Sequence, residues 1–233
     1  MAARLRTLLF QLVFYAGSLV IVLLAPVAAL FGERPLRRWV LFWTLYHRWC
    51  AAVTLGIRPR ITGAIPTGPA LYVAKHQAMF ETLEMVALLR APAIVMKQEL
   101  ARIPVWGWAA RRYGMIVVDR SASATAMREM MREAKATAAT GRSVVIFPEG
   151  TRVAPGETPP LKPGFAGLYR ALALPVVPVA IDSGIAWPRH GPKRPNTPIT
   201  FRFGEVIPAG QPRDVIEQAA HRAINVLERA PDQ

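Results

Sequence analysis

This chain has little cysteine and little acid: one thiol, Cys50, and 15 acidic residues against 29 basic ones. A single thiol excludes an intramolecular disulfide and any cysteine-based zinc site, so a reducing compartment is the simpler setting. The shortage of acid leaves a formal net charge of +14, which favours an anionic partner such as an acidic lipid surface, nucleic acid or an acidic protein. Nucleic acid has only the charge in its favour, because no basic stripe with interleaved aromatics runs through the part beyond residue 57. Internal repeats and low-complexity tracts are absent. None of the serines lies in a G-x-S-x-G elbow, so the strand-to-helix serine nucleophile is excluded. Residues 7–32 lack any charged side chain.

That uncharged run is where the apolar excess lies. The 233 residues are 52% hydrophobic, with a mean hydropathy of +0.24, more than one soluble domain needs. Leu8 to Phe31 is almost wholly apolar and exceeds the ~20 residues that cross a bilayer. Pro26 invites a kink or a re-entry in its last third. Arg4 and Arg6 precede the run and Arg34, Arg37 and Arg38 follow it, so charge bias gives no crossing direction, and a helix immersed in one leaflet fits as well. A cleaved signal peptide fits poorly, since the run is too long and another apolar helix follows at once. In that second helix Trp39, Phe42, Trp43, Tyr46 and Trp49 recur at helical spacing, a face suited to the headgroup boundary or to packing on the domain. Residues 1–57 are read as a two-helix membrane anchor and residues 58–233 as the catalytic domain.

From Arg58 the chain changes character. Pro59, Gly63, Pro66, Gly68 and Pro69 punctuate a linker. Apolar β-rich runs then recur at residues 70–74, 93–96, 115–118, 143–147, 176–181 and 199–203. Helical patterns fall between and after them, over residues 80–89, 104–113, 122–140, 165–173 and 214–229. This alternation predicts an α/β fold with a largely parallel sheet flanked by helices.

Four clusters fall where strands end, the place at which open α/β sheets build sites. His76 follows the first long strand, and Glu81, five residues on, lies in the first turn of the next helix. A loop between them can bring the carboxylate to one ring nitrogen and leave the other free as a base. Next comes Gly-Met-Ile-Val-Val-Asp-Arg (114–120), which delivers Arg120 beside a helix amino terminus, a good phosphate receptor. Phe-Pro-Glu-Gly-Thr-Arg (147–152) follows, with Glu149 and Arg152 in one turn and Gly150 allowing close backbone approach. Last is Val-Val-Pro-Val (176–179), where Pro178 inside a strand pattern implies an edge or a break. Each alone also reads as an ordinary turn, ion pair or surface arginine.

Their order and spacing, together with Lys-Gln-Glu-Leu (97–100) and Ile-Pro-Val-Trp-Gly (103–107), resemble the 1-acylglycerol-3-phosphate O-acyltransferase (lysophosphatidic acid acyltransferase) family from about Leu71 to Ala180. The chain departs from it at Glu81, where Asp is usual, at Lys75, where Asn or Ser is common, and at Ala78, often Ser. The resemblance implies that His76 is a general base oriented by Glu81. It makes Arg120 and Arg152, with Lys97, holders of the acceptor phosphate, and Glu149, Gly150 and Thr151 the shapers of that pocket, with Pro178 on the acyl side. The residues do not assign the oxyanion donors; backbone amides after His76 are the obvious candidates. It further implies transfer of a fatty acyl group from acyl-ACP or acyl-CoA, as co-substrate, to the sn-2 hydroxyl of lysophosphatidic acid, with no metal and no other cofactor. The expected place is a membrane, at the cytoplasmic face of a bacterial inner membrane. Two other readings stay open: the same chemistry on another lysolipid such as a lyso-ornithine lipid, and an inactive cationic membrane-binding protein. Acyl chain length and oligomeric state are not readable in the residues.

Overall fold

The computed structural model describes residues 1–118 and 124–228. Seven strands form one sheet: β1 (Pro59–Thr62), β2 (Leu71–Ala74), β3 (Ala93–Lys97), β4 (Ile116–Val118), β5 (Val144–Ile146), β6 (Val176–Ile181) and β7 (Ile199–Phe203). Their spatial order is β1-β7-β6-β2-β5-β3-β4, and β6 with β7 is the antiparallel pair in an otherwise parallel ladder. β2, which carries His76 at its end, is therefore central and covered on both faces. All four of its residues are buried, as an interior parallel strand requires.

Side chains alternate across this sheet into two cores. On one face Tyr72, Ala74, Val145, Val177 and Phe201 pack with Phe80, Met85 and Val86 of α3 (Phe80–Leu89). On the other, Leu71, Val73, Val144, Ile146 and Val176 meet α5 (Ala124–Ala139), α6 (Gly164–Leu172) and α8 (Arg213–Ile224). Two shorter helices, α4 (Trp106–Tyr113) and α7 (Ser183–Ala186), complete the layers.

The amino-terminal helices α1 (Ala2–Leu30) and α2 (Glu33–Cys50) do not stand apart. Phe10, Phe14, Cys50, Ala51, Leu55 and Ile57 belong to the same core as Phe80 and Phe201. A division at residue 57 thus marks a change in composition, and no gap in packing. Of the described helices, α1 alone is long and apolar enough to cross a membrane. It turns Thr7, Phe10, Phe14, Ser18, Ile21 and Ala25 inward, while Leu5, Leu8, Leu12, Leu19, Leu23 and Leu30 stay exposed, a larger apolar face than a soluble monomer leaves uncovered. The helix runs through Pro26 without ending there, and the chain turns back only after Leu30, at Phe31 and Gly32.

The aromatic face of α2 is also reassigned. Its polar tips are spent on α1, with Trp39 Nε1 donating to the Ile21 carbonyl (2.8 Å), Trp43 Nε1 to Ser18 Oγ (2.9 Å) and Tyr46 Oη to the Val13 carbonyl (2.6 Å). Tyr46 crosses α1 at Gly17, where any Cβ would lie 2.2 Å from its hydroxyl. Phe42 and Trp49 remain exposed. The same spacing serves a membrane boundary and a helix contact, and buried indole and phenol groups need acceptors. Deeper in, His47 is boxed by Phe10, Phe14, Phe80 and Trp187, and neither ring nitrogen has a hydrogen-bond partner. Burial, with help from Arg48, pulls its pKa from 6.5 down to about 3.

Of two local features, the first departs from expectation and the second, a break at Pro178, meets it. The proline and glycine punctuation after Arg58 contains a strand, β1, paired parallel with β7 at the sheet edge, where a proline is tolerated. Pro178 sits in the interior strand β6, and its carbonyl accepts from the Gly204 amide. Its missing N–H falls on that same side, where the ladder toward the β7 segment is broken between Phe203 and Ile207.

Candidate active site

The loops leaving the carboxyl ends of β2, β3, β5 and β6 converge. After Ala74 the chain turns through Lys75 and His76 and enters α3, with Glu81 in its first turn and fully buried. Glu81 Oε1 lies 2.9 Å from His76 Nδ1. The same oxygen accepts from the amides of Gln77 (2.7 Å) and Ala78 (2.6 Å), and Oε2 accepts from Ser183 Oγ (2.7 Å). An oxygen already holding two N–H groups is an acceptor toward the imidazole, so the proton is on Nδ1 and Nε2 is the free base. Of the candidate oxyanion donors after His76, the amides of Gln77 and Ala78 are already spent on Glu81. One carboxylate thus reaches both this loop and Ser183.

The rest of the imidazole is held as firmly. Phe147 stacks on its ring at 4.3 Å between centroids, and the His76 amide donates to Glu149 Oε2 at 2.8 Å. The Val153 amide donates to the His76 carbonyl at 2.8 Å, tying the two loops together. The side chain of His76 keeps 18% of its surface accessible.

Glu149 does not face the ligand space as expected. It is buried, with Oε1 2.9 Å from Lys75 Nζ, and burial pushes its pKa up against the opposing pull of Lys75. It supports the His76 backbone. Gly150 at φ 73° takes the left-handed turn that carries the chain out to Thr151 and Arg152.

His76 opens on a cavity of about 960 Å³. Its walls are apolar and come from α1 and α2 (Phe14, Leu19, Trp43), α3 (Met79, Leu83, Val86) and β3 (Ile94, Met96). Its charged and polar lining includes Lys97, Arg152 and Arg189 with Gly150 and Thr151, the acidic Glu99 close to Lys97 in the chain, and the hydroxyls of Ser18, Thr44 and Thr82. Among the described residues none of the three cations has an ion-pair partner. Pro178 is not on this lining, so its expected place on the acyl side is corrected: it alternates with Val177 and Val179, which pack on the face shared with Phe14 and α3, and so takes the opposite face of the sheet with Val176. Arg120 lies outside the described residues. Arg189 and Ser183 were not singled out in the sequence. Each sits beyond β6, and no local pattern marks them, although the basic stretch Arg189 to Arg194 was open to notice.

This arrangement holds a base with one fixed tautomer, a wide apolar space and cations without an ion-pair partner among the described residues together, and neither Ser183 nor Cys50 is placed to act as a nucleophile there. Ser183 is buried on Glu81, and Cys50 is buried in the core, where desolvation pushes its thiol pKa up.

Residues 57–182 match the family model described as Acyltransferase. A 1-acyl-sn-glycerol-3-phosphate acyltransferase of Pseudomonas aeruginosa is 32% identical over 190 residues, covering 80% of this chain and 74% of the relative. The 1-acyl-sn-glycerol-3-phosphate acyltransferase alpha of Mus musculus is 30% identical over 180 residues, 75% of this chain and 62% of the relative. The solved structure of the 1-acyl-sn-glycerophosphate (LPA) acyltransferase, PlsC, from Thermotoga maritima has the same fold at a TM-score of 0.73, covering 99% of this chain and 100% of that one at 22% identity.

Proposed function

The chain belongs to the acyltransferase family, and we propose that it transfers a fatty acyl group from an acyl thioester, acyl-CoA or acyl-ACP, to the sn-2 hydroxyl of 1-acylglycerol-3-phosphate, giving phosphatidic acid. One observation carries this reading: His76, held at Nδ1 by Glu81, lines an apolar cavity whose lining includes cations with no ion-pair partner among the described residues. The cavity suits acyl chains and its cationic lining an anionic head.

The chemistry follows from the geometry. As the acceptor hydroxyl attacks the thioester carbonyl, its proton passes to His76 Nε2 and a C–O bond forms. Glu81 stabilises the imidazolium through Nδ1–H. Collapse breaks the C–S bond, and the proton returns from His76 to the departing thiolate. Arg152, Arg189 and Lys97 hold the phosphate, with planar bidentate pairing available from the two arginines. The outward face of α1 rests in the lipid, at the cytoplasmic side of the membrane, where an amphiphilic acceptor resides. The intact His76 to Glu81 contact argues against an inactive binding protein.

Purified protein in vesicles, given lysophosphatidic acid and either thioester, should release thiol in step with phosphatidic acid. Thiol release that is the same without acceptor, or none with either donor, refutes the reading.

A further inference from the structure

Lys75, beside the base, is a lysine with no exposed side-chain surface. Burying an ammonium is costly unless every proton is met. Here Nζ lies 2.9 Å from Glu149 Oε1, 2.5 Å from the Glu157 carbonyl and 2.7 Å from Asn225 Oδ1, with Glu228 Oε1 at 3.5 Å. Glu228 lies beyond the end of α8 and is 8% exposed at its side chain. Its Oε1 accepts from Gln77 Nε2 at 2.6 Å and its Oε2 from the Gly156 amide. Gln77 Oε1 in turn accepts from the Gly184 amide at 2.8 Å, next to the serine that holds Glu81.

One carboxylate at the end of the described chain therefore takes the residues on both sides of His76, and also the loop that follows Arg152. We propose that Glu228 is a positioning residue for His76, the head of a carboxy-terminal latch formed with Asn225 and Lys75. Lys75 passes the constraint to Glu149, which holds the His76 amide, and Gln77 passes it to the loop that presents Glu81 with its two N–H groups. Lys75, where the resembling family commonly has Asn or Ser, is thus the residue that reaches the latch. The inference rests on the acyl-transfer reading for its kinetics and on none of that reading for its geometry.

The test uses Glu228→Ala and Glu228→Gln in the full chain, because residues beyond α8 leave the packing of Ile216, Ala220 and Ile224 untouched. Misplacement of a base by a fraction of an ångström is the expected defect, so kcat should fall about 10-fold in Glu228→Ala. Both substrate KM values should stay within about 2-fold, and the glutamine variant should be intermediate, since its single carbonyl replaces one of two acceptors. Hydrogen exchange of the 76–78 amides should quicken by about 10-fold. An unchanged kcat overturns the proposal, as does a loss of kcat that disappears when the assay is run well below the variant's melting temperature. If the wild type itself releases no thiol, the acyl-transfer reading has failed and exchange at residues 76–78 decides the latch alone: faster in Glu228→Ala supports it, unchanged refutes it.

Discussion

Replacing Glu81 by glutamine separates charge from shape. The two backbone amides that donate to Oε1 require an oxygen there, so the glutamine carbonyl stays toward His76, and its NH2 takes the place of Oε2 beside Ser183, whose hydroxyl can rotate to accept. The tautomer and the fold are then kept, and only the negative charge facing the forming imidazolium is lost. At 2.9 Å and an effective dielectric constant of about 20, that attraction is roughly 6 kcal/mol for a full charge. With the proton half transferred in the transition state, about 3 kcal/mol remains, or a loss of roughly 10²-fold in kcat. Glu81→Asp keeps the charge but is one methylene short, and should lose either the loop amides or Ser183. The assay is thiol release at saturating lysophosphatidic acid, with melting temperature as the control on folding. Near-normal kcat in a folded Glu81→Gln protein refutes the role given to this carboxylate.

The other predictions concern the anion and the core. Arg152→Ala and Arg189→Ala should each lower kcat/KM for phosphate-bearing acceptors by roughly 10- to 150-fold, the worth of a ~1.5–3 kcal/mol charge-assisted bond, with little further effect on a neutral monoacylglycerol. Equal losses on both acceptors remove these arginines from phosphate binding. His47 makes the fold acid-sensitive. Its folded pKa, about 3, is below the unfolded 6.5, so between those values the unfolded chain binds the extra proton and stability falls as pH drops, by up to ~1.4 kcal/mol per unit. His47→Phe should flatten that slope in chemical denaturation from pH 6.5 down toward 4, and an unchanged slope assigns it to other groups.

Much of the scaffold was legible because its signals are local. The β2 to α3 unit, the limits of β6 and β7 and the Phe147 to Arg152 turn all follow from apolar runs ended by polar or proline-containing turns. The His76 to Glu81 contact was readable for the same reason, since a strand end and a helix start five residues apart leave few geometries. What stayed hidden depends on distant chain segments. Ser183 reaches Glu81 across 102 positions, and Glu228 reaches Gln77 across 151. Glu149 looked like a ligand contact because a turn sequence does not say which of its side chains faces inward. β1 hid among its prolines and glycines because an edge strand of four residues needs little apolar periodicity.

The shared core of the amino-terminal helices and the sheet has a mechanical consequence. With Phe10 and Phe14 interlocked with Phe80, Phe201 and Trp187, α1 has no hinge against the domain. When its outer face lies in a leaflet, the height of His76 above the acyl chains is set at folding, as a keel sets the draught of a hull, and thermal tilting of the catalytic loops toward or away from the lipid is suppressed. On that placement, an acceptor would react only on reaching that depth. Changes in bilayer thickness or headgroup packing should therefore reach the reaction as changes in how often that depth is visited.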